Sequence, residues 1–150
     1  MTRFPRFSPL ALIPVLIGCA PLTFSQPGAV DFDRYRSVFV EVNPGELDPT
    51  PSEHLASELR EISGFERVTT DPNETVDLLL TVEVYVDVTI TENDDGTSVE
   101  YDGLGEFTAR TPNGAVVDRG AEDDSSASYE ETQEDVLDEI ALHYAAPYRL

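Results

Sequence analysis

The segment from Leu78 to Thr91, LLLTVEVYVDVTIT, limits the possible folds more than any other part of the chain. Leu80, Val82, Val84, Val86, Val88 and Ile90 occupy every second position, with Thr81, Glu83, Tyr85, Asp87 and Thr89 between them. Successive side chains of a strand point to opposite faces, so a period of two predicts a β-strand with one dry face and one wet face. These 14 residues would extend ~46 Å at ~3.3 Å each. That exceeds a typical strand, so the strand is expected to bend or to overhang its core.

The residues that follow predict a hairpin. Taking Asp95-Gly96 of NDDG as a two-residue turn sets Ile90 opposite Tyr101, Val88 opposite Gly103, Val86 opposite Gly105, Val84 opposite Phe107 and Val82 opposite Ala109. Every apolar position then meets an apolar or small one. Gly103 and Gly105 leave a shallow place on the core face, where either a helix crosses closely or the hairpin kinks. TPNG (111–114) suits a second tight loop with Gly114 in the left-handed region, which would put Val117 opposite Ala109. AVVDRG then reads as the last strand and AEDDSSAS as a polar linker.

Before the long strand, RSVFVEVN (36–43) alternates as a half-buried strand and FERVTT (65–70) reads as a short one. Between them, Thr50, Pro51 and Glu53 form a capping-box signature, and Leu55, Leu59 and Ile62 make one apolar stripe. Gly64 is expected to end that helix in a left-handed cap. A second helix is expected from Tyr129 to Tyr144, with Ser128 and Glu131 as its capping box and Thr132 or Gln133, Val136, Leu137, Ile140, Ala141 and Tyr144 as its buried stripe. Pro147 opposes continuation. The fold class is therefore α+β: one mostly antiparallel (mixed) sheet of about four to five strands, with two helices packed on one face.

The chain start has a different character. Arg3 and Arg6 precede the apolar run LALIPVLIG, which is too short and too interrupted by Pro14 to span a bilayer and reads as a secretory signal. Leu16-Ile17-Gly18-Cys19 matches a bacterial lipobox: a small residue precedes the cysteine whose thiol takes the diacylglycerol. The expected organisation is a signal peptide at 1–18, a lipidated N-terminus and tether at 19–34, and a single α/β domain at 35–150. Cys19 is the sole cysteine, so it is assigned to lipidation and packing alone must hold the domain. In a two-membrane host, Ala20 in place of an aspartate favours the outer membrane over inner-membrane retention; in a one-membrane host the domain would face the outside of the cell.

After position 18 the chain carries 30 acids against 7 arginines, a formal net charge of −23, and it has no lysine. A field of that sign repels nucleic acid and anionic headgroups, which excludes nucleic-acid binding. It leaves a saline habitat, a basic partner or metal cations as explanations.

Several stretches resemble a loose group of bacterial envelope lipoprotein domains: YRSVFVEV (35–42), GFERV (64–68), VDLLLTVEVYV (76–86) and GAVVDRG (114–120). The group includes the N-terminal domain of the Tol system's periplasmic propeller protein, the curli secretion lipoprotein and the lipopolysaccharide-assembly lipoprotein. The resemblance implies an assembly and binding module, and it carries over one residue, the anchoring cysteine, onto Cys19. The expected organisation, a single domain without a propeller or a pore-forming insertion, departs from the Tol and curli members of the group.

The chain offers no Gly-x-Ser-x-Gly, no phosphate loop, and two histidines, His54 and His143, without zinc-motif spacing. Both histidines are read as solvated or capping. TENDDG (91–96) lacks the first and twelfth ligands of a calcium loop. No catalytic residue, metal ligand or cofactor is assigned. Glu83, Tyr85, Asp87 and Arg110, on the wet sheet face, form the candidate partner surface, because an exposed aromatic among charges suits a contact. The expected function is a non-enzymatic, lipid-anchored envelope module on the periplasmic face of the outer membrane, contacting another envelope protein. A domain binding cations or a small ligand is the alternative, and a hydrolase ranks below both.

Overall fold

The computed structural model describes residues 30–146. The leader, Cys19 and Pro147 lie outside them. In chain order the elements are β1 (Ser37–Val42), α1 (Thr50–Ile62), β2 (Arg67–Thr69), β3 (Leu78–Asn93), β4 (Gly96–Arg110), β5 (Val116–Ser126) and α2 (Tyr129–His143). They form one five-stranded mixed sheet in the order β2-β1-β3-β4-β5. β1 is parallel to both β2 and β3, while β3, β4 and β5 form an antiparallel meander. This is the α+β sheet-and-helix architecture that the alternation and the two apolar stripes predict.

The core forms where the dry faces meet. Val38, Val40 and Val42 of β1, Leu78, Leu80, Val82 and Val84 of β3, and Phe107 and Ala109 of β4 pack against Leu55, Ala56 and Leu59 of α1 and Val136, Leu137, Ile140 and Ala141 of α2. The glycine pair in β4 marks the crossing of α2. A Cβ on Gly103 would lie 2.7 Å from Thr132 Cγ2, and one on Gly105 would lie 2.5 Å from Val136 Cγ1. Of the two readings of these glycines, close helix passage is the one realised. Val30 is buried in the same core, and the Phe32 ring meets Phe65 edge-on at 5.0 Å. Packing thus takes in residues that the sequence gives to the tether.

β3 overhangs the core. Asn43, in the left-handed region at φ 48°, ends β1 there: its N–H donates to Val82 O and its Oδ1 accepts from Val84 N. Beyond this point the β3–β4 ribbon leaves the helices, and Val88, Ile90 and Val99 on its former core face are exposed.

Six local expectations are corrected, wholly or in part. The hairpin register is two residues from the one expected, with Val84 opposite Gly105 and Val82 opposite Phe107. An Asp95-Gly96 turn of type I′ needs positive φ at both residues. The chain instead turns on Asp94-Asp95, and Gly96 alone takes positive φ, at 135°. A two-residue shift preserves which face each side chain occupies. At the next loop Gly114 is left-handed as expected, but an irregularity beside Val117 brings Asp118 opposite Ala109. AEDDSS is not a linker; it continues β5 to Ser126 by pairing with β4.

At α1 the capping box does not form. Pro49 is the N-cap, Asp48 Oδ1 accepts from Thr50 N at 2.9 Å, and Glu53 Oε1 accepts from Thr70 Oγ1 instead. Gly64 is not left-handed; it is needed because the Phe32 ring lies 2.5 Å from where its Cβ would be. At α2 half of the expected box is present: Ser128 Oγ accepts from Glu131 N at 3.3 Å, while Ser128 N donates to Ser126 Oγ.

Candidate functional site

Because both helices cover one face of the sheet, the alternate residues of β3, β4 and β5 are left on an open face. The register places Tyr85 beside Leu104 and Leu104 beside Asp123 across the three strands. Flanking rows are Glu83–Glu106–Ala121 on one side and Asp87–Asp102–Ser125 on the other. Tyr85 is 51% exposed and Leu104 40% exposed. A shallow depression here includes Tyr85, Asp87, Asp102, Leu104, Asp123 and Ser125 in its lining. An aromatic–aliphatic pair is therefore set within a rim of carboxylates. Tyr85 donates a 2.5 Å hydrogen bond to Glu83 Oε2, which fixes the ring on the surface and raises the phenol pKa above its usual value.

Of the four surface residues singled out from the sequence, three meet here: Glu83, Tyr85 and Asp87. Arg110 shares the open face but pairs with Leu79, six register positions from Tyr85. At ~3.3 Å per residue that is ~20 Å away. Leu104, Asp102, Glu106 and Asp123 complete the site and were not singled out. With the hairpin turn at Asp95-Gly96, Tyr85 would face Glu106; turning one step earlier puts Leu104 there.

His143 is not solvated and His54 is only partly so. His143 is buried, its Nε2 lies 2.8 Å from Asp118 Oδ2, and its Nδ1 is buried without a hydrogen bond, 3.8 Å from a Glu122 carboxylate oxygen. Burial raises the Glu122 pKa, against the opposing pull of His143. Tyr144 adds a buried hydroxyl; burial, then the Asp118 charge and a hydrogen bond to Asp118, push its pKa well above the usual tyrosine value. His54 is half-buried and bonds Asp138 Oδ1 through Nε2 at 2.8 Å, joining α1 to α2. Among the described residues, no helix is long and apolar enough to cross a membrane.

The sequence matches no protein-family model and no curated relative. Among solved structures, the chain is similar to PelC in the dodecamer from Paraburkholderia phytofirmans, at 16% identity over 81% of this chain and 96% of that one, with a TM-score of 0.53. A minor lipoprotein from Acinetobacter baumannii aligns at 16% identity over 71% of this chain and 87% of that one, with a TM-score of 0.46. At such identity the likeness is one of fold, and it rests on the first of the two.

Proposed function

We propose that this protein is a lipid-anchored envelope module, without catalytic function, that binds a basic segment of another envelope protein through the open face of its sheet. The observation that carries this reading is the exposed Tyr85–Leu104 pair inside its carboxylate rim. An apolar centre surrounded by charge is the usual anatomy of a contact patch, and an aromatic face beside carboxylates suits a guanidinium or ammonium group. The formal charge of −23 after position 18 would speed the approach of a cationic partner and repel nucleic acid. Lipidation at Cys19 would hold the domain at a membrane, on the periplasmic side of the outer membrane if Ala20 is read as above. An assembly role also fits the fold, since PelC, of similar fold, is a dodecamer.

The test is crosslinking in intact cells followed by membrane fractionation, comparing the natural chain with Cys19→Ser. The expected outcome is one envelope protein crosslinked to the membrane-bound natural chain, and a serine variant that leaves the membrane fraction and captures nothing. A serine variant that stays with the membrane would sink the anchoring half of the proposal. Capture that is indifferent to anchoring and to neutralisation of Asp87 and Asp123 would sink the other half.

A further inference from the structure

A second cluster lies on the opposite layer, and the geometry points to His54, Glu58 and Asp138 as a site for one zinc-type divalent cation that ties α1 to α2. His54 and Glu58 stand four residues apart on α1, so they share a helix face, and α2 brings Asp138 against them. One ligand atom from each of the three residues lies within 4.8 Å of the other two, and His54 Nε2 is 2.8 Å from Asp138 Oδ1. Zinc holds imidazole nitrogen and carboxylate oxygen at ~2.0–2.2 Å in a tetrahedron, which sets neighbouring donors ~3.4 Å apart. The His54–Asp138 distance is shorter than that value and every other spacing is held within 4.8 Å, so modest side-chain rotation brings the three into place. All three residues are half-buried, which partly desolvates the donors and leaves a fourth position open to water.

The donor set selects the class of ion. Calcium takes six to eight oxygens, whereas one imidazole with two carboxylates suits zinc and its transition-metal neighbours. Charge supports the same reading. Two carboxylates converge here, and among the described residues no arginine pairs with either. His54 hydrogen-bonds Asp138 but leaves Glu58 facing like charge. A dication beside a neutral imidazole balances both carboxylates. Sequence spacing could not reveal this group, because two ligands sit on one helix and the third lies 84 residues from His54.

The experiment uses the full chain, tag-free, stripped with chelator and titrated with zinc chloride at high salt to suppress diffuse attraction to the acidic surface. Calorimetry is expected to show one saturable zinc per chain, and cobalt to give the absorption of a four-coordinate site with a nitrogen ligand. Glu58→Gln, which keeps the side-chain size, should weaken zinc binding by at least about tenfold, as should His54→Ala. Asp94→Asn at the hairpin tip should leave it unchanged. Unsaturable uptake, or equal affinity in the natural chain, Glu58→Gln and His54→Ala, would overturn the site. None of these readouts depends on the open sheet face, so the two proposals stand or fall separately.

Discussion

His143 Nε2 lies 2.8 Å from Asp118 Oδ2, and each of these side chains is only 2% exposed. The other carboxylate oxygen of Asp118 accepts from Arg119 N at 2.9 Å. The pair therefore joins the end of α2 to the edge strand β5 from inside the protein, with the Phe107 ring 4.8 Å from the imidazole. Removing one member of a buried pair strands the other in a poor solvent. Asp118→Ala is expected to lower unfolding stability by about 3–5 kcal/mol in a urea titration. Replacing both members with apolar residues, His143→Leu with Asp118→Val, should recover most of that loss. A single variant costing under about 1 kcal/mol would mean that the site relaxes around the defect.

Asp77 makes a different kind of clamp. One of its oxygens, Oδ2, accepts from Arg36 N, Ser37 N and Ser37 Oγ, each at 2.9 Å, and so holds the start of β1 beside β3. The Ser37 hydroxyl bond, followed by the backbone bond from Arg36, lowers the Asp77 pKa below its reference of 3.8. A lowered folded-state pKa gives stability that is present above the unfolded pKa and lost as pH falls through the folded one. Asp77→Asn should therefore be less stable than the natural chain at pH 7, by an amount that solvent screening of this exposed carboxylate keeps small. The two should converge as the pH drops below 3.8. Parallel stability curves across that range would contradict the assignment.

Gly105→Ala tests the crossing of α2 over β4. Its methyl would fall 2.5 Å from Val136 Cγ1 and 2.8 Å from Ile140 Cδ1. Both neighbours are fully buried, so relief requires the helix to move. Overpacking of this kind costs about 1–3 kcal/mol. Gly114→Ala, with φ 90° and nothing within 4 Å of the added carbon, should cost less and through backbone strain alone. Thermal melts of the two variants separate the mechanisms.

The hairpin register is open to direct observation. Thr89 is opposite Glu100 in the structure, whereas a turn at Asp95-Gly96 would put it opposite Asp102. Cross-strand nuclear Overhauser contacts between 89 and 100 are expected, with those between 89 and 102 restricted to the weaker diagonal distance.

These cases show which physical signals a sequence displays openly. The alternation in β3 and the stripe of α2 are periodic, and burial on one side leaves no other arrangement for Val82 or Ile140. Gly103 and Gly105 were legible as a place where something approaches, since an absent side chain on a core face has few uses. The register was not, because NDDG offers two turns one step apart whose registers differ by two residues and keep every face. β5 was cut short for a related reason. Its inward positions Asp118, Gly120, Glu122 and Asp124 carry no apolar alternation; a buried imidazole, a phenylalanine ring and backbone pairing take its place. Three members of the open-face site could be named from β3 alone, while Leu104 and Asp123 needed the correct pairing. His54 and Asp138 meet only through helix packing, which no local pattern encodes.

The claim that the open sheet face is the docking surface has one most direct test: a photo-crosslinking residue placed in living cells at Leu104, with Leu142 as the matched position. Both are exposed leucines, at 40% and 51%, one on the open sheet face and the other on α2. The account predicts a discrete protein adduct from position 104 that disappears when Asp87 and Asp123 are neutralised together, and none from position 142. The same adduct from position 142, or one from 104 that survives neutralisation, would contradict it.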